Sequence, residues 1–167
     1  MPVTGSLLRF ERVYDLPPEI VWDALVDSDL VSGWLAEAEI EPREGGRYDL
    51  YWRHFEPQMT ALGRIDELDE PLRIVVVTDN VGTTTFTLEA LAEGQRGRST
   101  LVRVEVEALA DLQFSAPISA TWQLSLEQLA ELLHGHPVDW STWRAQHGRA
   151  WHELAEEARR KLGVAPT

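Results

Sequence analysis

The sequence contains no cysteine. This excludes disulfide frameworks, thiolate nucleophiles and cysteine-ligated zinc or iron–sulfur sites. Long apolar runs and the basic region of a secretory signal are also missing, so we expect no membrane span and a cytoplasmic protein. Basic residues are few, because 15 Lys and Arg stand against 28 Asp and Glu, a net charge of -13. A surface of that sign repels a phosphate backbone, which argues against nucleic-acid binding.

What the chain does have is the size and balance of one globular domain, with 167 residues, 44% hydrophobic and 26% charged. Its acidic residues are concentrated in two stretches, 15–41 and 104–143, and neither contains Lys or Arg. We interpret both stretches as solvated faces. Tryptophan is unusually frequent, with seven Trp against three Tyr and four Phe.

The hydrophobic pattern begins as a strand and then changes to helices. Residues 7–14 alternate between two faces, which predicts a first strand. Pro17 and Pro18, followed by Glu19, are typical of a helix start. Asp27 or Ser28 is then placed to cap a second short helix.

Residues 38–108 read as antiparallel strands separated by turns, because the apolar residues alternate with polar ones. The predicted strands cover residues 38–41, 47–55, 62–68, 73–78, 83–90 and 100–108, with a hairpin loop at 93–97. A long helix is predicted at 116–134, starting at the Ala-Pro pair 116–117 and ending at Gly135. A second helical stripe, which carries three Trp, follows over residues 140–162.

This order of elements predicts an α+β fold, with a curved antiparallel sheet of about six or seven strands around the long helix. We expect a cavity between them, because one helix does not fill a wide curved sheet. The predicted domain covers residues 1–136, and residues 137–167 form a C-terminal helical extension. That extension either clamps onto the domain or forms a homodimer through residues 140–162.

Several stretches in this order resemble the SRPBCC superfamily, also described as START-like or helix-grip. The sequence RVYDLPPEIVWDAL at 12–25 resembles its opening, EGGRY at 44–48 its glycine-bearing turn, and WQLSLEQL at 122–129 its last helix. Taken together over residues 7–135, they resemble the branch named after the activator of the heat-shock chaperone ATPase (AHSA-type). The resemblance implies a fold with an apolar tunnel between the sheet and the C-terminal helix.

The function that this resemblance implies is binding of a small hydrophobic or amphipathic ligand, such as a lipid. Two alternatives remain open, an enzyme of the cyclase, aromatase or hydrolase type and a chaperone regulator. Fold alone does not decide among them. No nucleotide fingerprint occurs, so we expect no cofactor. The expected partner is a small apolar molecule bound in the cavity.

The ligand-binding residues are predicted from strand 47–55 and the elements around it. One face of this strand presents polar aromatic tips to the expected cavity. The predicted ligand-binding residues are Tyr48, Leu50, Trp52, His54, Ile65, Phe86, Val104, Trp122 and Leu126. If the protein is an enzyme, His54 and Tyr48 are the catalytic candidates.

Each of these residues also has a structural interpretation. Tyr48 and Trp52 are equally compatible with an ordinary core, and His54 with a strand end near solvent. A register shifted by one residue would present Asp49, Tyr51 and Arg53 instead. His134 and His136 stand at a helix end, where an imidazole meets free carbonyls, so we expect capping and no metal site.

Overall fold

The structure is a computed structural model that describes residues 7–55, 58–79, 82–92, 99–108 and 112–162. The predicted hairpin loop at 93–97 lies outside the described residues. The helices are α1 (Pro18–Val26), α2 (Ser28–Val31), α3 (Leu112–Leu133) and α4 (Trp143–Leu162). The strands are β1 (Leu7–Tyr14), β2 (Glu37–Ile40), β3 (Tyr48–Trp52), β4 (Met59–Ala61), β5 (Gly63–Asp69), β6 (Arg73–Thr78), β7 (Gly82–Leu91) and β8 (Ser99–Ala108).

The first strand has the predicted bounds, and the two helices of the pair begin at the predicted residues. Strand β1 covers residues 7–14, and α1 begins at Pro18 with Pro17 as an extended N-cap. The carboxylate of Asp27 accepts hydrogen bonds from the backbone N–H groups of Asp29 and Leu30, at 2.9 and 3.2 Å. Asp27 therefore caps α2, because it supplies an acceptor to N–H groups that lack one in the first turn.

The antiparallel architecture is confirmed, with eight strands among the described residues. They form one sheet of five strands, in the order β1-β8-β7-β6-β5, and one of three, in the order β2-β3-β4. The segment predicted as one strand at 62–68 is preceded by a separate short strand, since the chain leaves β4 at Ala61 and enters β5 at Gly63.

Gly63 is required where the two sheets meet. A Cβ at this position would lie 2.7 Å from the carbonyl oxygen of Tyr48 in β3. The backbone N–H of Gly63 donates to Oδ1 of Asp49 at 3.1 Å, which fixes the two strands to each other. Strands β3 and β5 approach this closely because glycine has no side chain.

Helix α3 crosses the sheets and completes the core. It begins at Leu112, four residues before the predicted start at Ala116. Pro117 lies inside this helix. Its missing backbone N–H removes one hydrogen bond near the start of the helix. The Tyr14 hydroxyl donates to the Leu126 carbonyl at 2.8 Å and ties β1 to the middle of α3.

The C-terminal extension lies on the domain. Its connecting segment is held where the Val138 N–H donates to the Gly33 carbonyl at 2.8 Å, and α4 then packs along α3. Among the α4 side chains that the structure describes, those of Trp143, Ala155 and Ala158 are buried. Within the described residues, no helix combines the length and the apolar character needed to cross a membrane.

Candidate functional site

The predicted inward face of β3 lies on the buried side of the strand. Tyr48, Leu50 and Trp52 are 2%, 6% and 8% exposed. Asp49, on the alternate face, is also buried, but its carboxylate is occupied by the N–H of Gly63. The strand ends at Trp52, earlier than the predicted Phe55, so His54 and Phe55 lie in a turn beyond the sheet.

The interior between the sheet and α3 is filled by side chains. Ile65, Phe86, Val104 and Leu126 are at most 1% exposed. The ring of Trp122 contacts that of Phe86, with centroids 5.6 Å apart. These five predicted ligand-binding residues form a packed core, and a ligand would enter among them only if they moved.

The hydroxyl of Tyr48 joins two elements of the fold. Its hydroxyl donates to the Leu25 carbonyl at the end of α1, at 2.6 Å. Burial raises the pKa of the Tyr48 hydroxyl well above its ordinary value, because the phenolate would lose its hydration. The Tyr48 hydroxyl therefore stays protonated, and its hydrogen bond links β3 to α1.

A small cavity of about 10 Å³ lies beside Trp52 and His54. This is close to the volume that admits one water molecule. We call it the aromatic cavity, and its walls come from the domain and from the extension. The domain contributes Leu35, Trp52, His54, Phe55, Thr121, Leu124, Ser125 and Gln128, and the extension contributes Trp140, Trp143 and Trp151.

His54 is enclosed by aromatic rings. Its imidazole stacks on Trp140 with centroids 4.6 Å apart, and it contacts the rings of Trp143 and Phe55 at 4.5 Å. Burial, with a smaller contribution from the positive charge of Arg144, lowers the pKa of His54 to about 4. The imidazole is therefore neutral at neutral pH.

Each of the three extension indoles has a hydrogen-bond acceptor on the domain. The Nε1–H group of Trp140 donates to the Ser32 carbonyl at 2.6 Å. That of Trp143 donates to Oε1 of Gln128 at 2.9 Å, and that of Trp151 to Oγ1 of Thr121 at 3.0 Å. These three hydrogen bonds fix the extension to the domain beside the aromatic cavity.

The indole of Trp52 differs from these three. Its Nε1 is buried and has no hydrogen-bond partner among the described residues. Burying an N–H group without an acceptor costs about 1–3 kcal/mol. Trp52 therefore lines the aromatic cavity and carries a buried indole N–H group that has no acceptor among the described residues.

Sequence reasoning missed Gln128 and the closing role of the extension. Gln128 is buried in α3, where its amide donates to the Trp34 carbonyl at 2.8 Å and accepts from Trp143. A polar residue among the apolar positions of the helix was the available signal. The three Trp of the extension donate hydrogen bonds to the chain's own domain. The predicted homodimer through residues 140–162 stays a prediction.

The described residues contain no group of three His, Asp or Glu side chains placed to hold a metal ion. His134 Nδ1 lies 2.7 Å from the Ala130 carbonyl in the last turn of α3, which is the contact expected of a capping imidazole.

The curved antiparallel sheets around α3, with the helix pair after β1, define an α+β protein of the helix-grip class. A family model described as activator of Hsp90 ATPase homolog 1-like protein matches residues 15–134. The chain belongs to this family. No curated protein matches the chain.

Solved structures show the same fold. Protein MLL2253 from Mesorhizobium loti is 21% identical, with TM-score 0.65, over 80% of this chain and 100% of its own. CalU16 from Micromonospora echinospora is 20% identical, with TM-score 0.65, over 96% of this chain and 90% of its own. CV1439 from Chromobacterium violaceum is 29% identical, with TM-score 0.61, over 76% of this chain and 96% of its own.

Proposed function

We propose that this protein binds a small amphipathic ligand at the aromatic cavity, with the Trp52 indole donating a hydrogen bond to an acceptor atom of the ligand. The observation that carries the proposal is the buried, unpartnered Nε1–H group of Trp52. A ligand carbonyl or hydroxyl placed there would remove the cost of that unpaired donor. The family and its fold are compatible with ligand binding.

The lining of the cavity indicates the character of the ligand. Most of the wall is aromatic or aliphatic, and a few polar groups from α3, Thr121, Ser125 and Gln128, complete it. Such a wall suits a molecule with an apolar body and one or two polar atoms. Because the volume is about 10 Å³, side chains at the wall must move to admit it.

The enzyme and chaperone-regulator alternatives gain no specific support from the described residues. Of the two catalytic candidates, Tyr48 is committed to the Leu25 carbonyl. His54 is packed against three aromatic rings. Binding is therefore the function that the geometry favours.

The test uses Prodan, an uncharged naphthalene with a ketone oxygen whose emission shifts to the blue in an apolar site. Trp52→Phe keeps a ring but removes the donor, so we expect Prodan to bind this variant about fivefold more weakly, the equivalent of about 1 kcal/mol. The analogue 2-dimethylaminonaphthalene lacks the ketone and should bind both proteins alike.

Trp34→Phe is the matched control. Its indole donates to the Ala24 carbonyl at 2.7 Å, and Trp34 does not line the aromatic cavity. This variant should lower the free energy of unfolding more than Trp52→Phe does, because it breaks a buried hydrogen bond, and should keep Prodan affinity. Equal Prodan affinity of the wild type and Trp52→Phe would contradict the proposal.

A further inference from the structure

The C-terminal strap, residues 138–162, supplies three of the eleven residues that line the aromatic cavity, Trp140, Trp143 and Trp151. We infer that the strap is an autoinhibitory element, which competes with the ligand for the aromatic cavity and leaves it when the ligand binds. This inference rests on the proposed function and adds the regulation of that site.

The strap places its own aromatic rings against His54 and Phe55 of the domain. Trp140 stacks on His54, and Trp143 contacts both His54 and Phe55, with the Phe55 centroid at 5.7 Å. Trp143 itself is 5% exposed. A ligand body that lies against Trp52 therefore has to replace some of these aromatic contacts.

The strap is attached to the domain through the buried face of α4 and through hydrogen bonds. Along α4, the described side chains that are buried are those of Trp143, Ala155 and Ala158, and charged residues cover much of the rest. Its indoles add hydrogen bonds to Ser32, Gln128 and Thr121. Separation of the strap along this one face is a local opening, distinct from global unfolding.

The hydrophobic core is complete without the strap. Among the described residues, the core cluster runs from Tyr14 to Leu129 and includes no strap residue. The family model likewise ends at residue 134. The domain that defines the family therefore ends before the strap begins.

The test loosens the strap at a residue that does not line the cavity. Ala155 is 1% exposed, and Ala155→Asp places a charge in its packing site. Ala150 is an exposed residue of the same helix, so Ala150→Asp is the matched control with the same change in charge. We expect at least tenfold tighter Prodan binding by Ala155→Asp and wild-type affinity for Ala150→Asp.

Hydrogen exchange in the full-length wild type is the second measurement, and it does not depend on folding of a variant. Prodan should accelerate amide exchange in residues 143–162 while leaving exchange in β7 and β8 unchanged. Prodan binding that leaves exchange in the strap unchanged or slower would overturn the strap inference. So would an Ala155→Asp protein with faster strap exchange and unchanged or weaker affinity.

The two proposals fail differently. If Prodan binds the wild type and Trp52→Phe weakens it, but Ala155→Asp does not strengthen it, the binding site stands and the autoinhibition is wrong. If Prodan binds neither the wild type nor Ala155→Asp, although strap exchange is faster in the latter, both proposals are overturned.

Discussion

His54 makes the stability of the folded protein sensitive to acid. Its imidazole is held among Trp140, Trp143 and Phe55 at centroid distances of 4.5–4.6 Å. The surroundings lower its pKa from 6.5 to about 4. Because the folded state disfavours the charged imidazole, stability is fully present above pH 6.5 and is lost as the pH falls from 6.5 towards 4.

The size of the effect follows from this difference in pKa. Each pH unit of a shifted pKa is worth about 1.4 kcal/mol, so about 2.7 kcal/mol is the upper limit between pH 6.5 and 4.5. His54 is only half-buried, and solvent screening reduces that figure to about 1–1.5 kcal/mol. Of the charged groups near it, Arg144 of α4 lowers the pKa further. Arg53, beside it in the chain, is paired with Glu37 of β2. The α3 residues that line the cavity are uncharged.

The assay compares the wild type with His54→Phe, which keeps an aromatic ring but does not titrate. Urea unfolding at pH 7.5 and pH 4.5 gives the free energy of unfolding of each protein at each pH. The wild type should lose about 1–1.5 kcal/mol more than His54→Phe over this interval, since the titration of all other groups is common to both. His136→Gln, at an exposed position, should lose as much as the wild type. Equal losses in the wild type and His54→Phe would refute the reasoning.

Two further substitutions test contacts that hold the site in place. Gln128→Leu removes the partner of both the Trp34 carbonyl and the Trp143 indole, so urea unfolding should show a loss of about 2–4 kcal/mol, and a loss below about 0.5 kcal/mol would contradict the bridging role. Gly63→Ala places a Cβ 2.7 Å from the Tyr48 carbonyl oxygen, so we expect a loss of about 1–3 kcal/mol by the same assay, and unchanged stability would show that β3 and β5 do not need this approach.

Local sequence patterns predicted the elements whose cause is local. Strand β1 follows from strict alternation over residues 7–14. The starts of α1 and α2 follow from Pro17, Pro18 and Asp27, because these residues act on the first turn of a helix. The fold class then followed from the order of these elements and the family resemblance.

The state of the cavity depends on long-range packing, which local patterns do not contain. Alternation along β3 indicates that Trp52 and Tyr48 share one face, but does not show that Phe86, Trp122 and Leu126 fill the space opposite them. The helical period likewise indicates an apolar stripe in the extension. It does not reveal that the hydrogen-bond acceptors of its indoles lie on α3 and after α2. The start of α3 was wrong because proline was interpreted as the first turn.

The most direct test of the central claim is the indole N–H spectrum of the ¹⁵N-labelled protein during a titration with Prodan. Comparison with Trp52→Phe assigns the Trp52 signal among those of the seven Trp. Because a new acceptor would meet this donor, the Trp52 signal should move downfield and exchange more slowly with solvent, while the signals of Trp140 and Trp143 shift as the strap leaves. Binding of Prodan with an unchanged Trp52 signal would contradict the account.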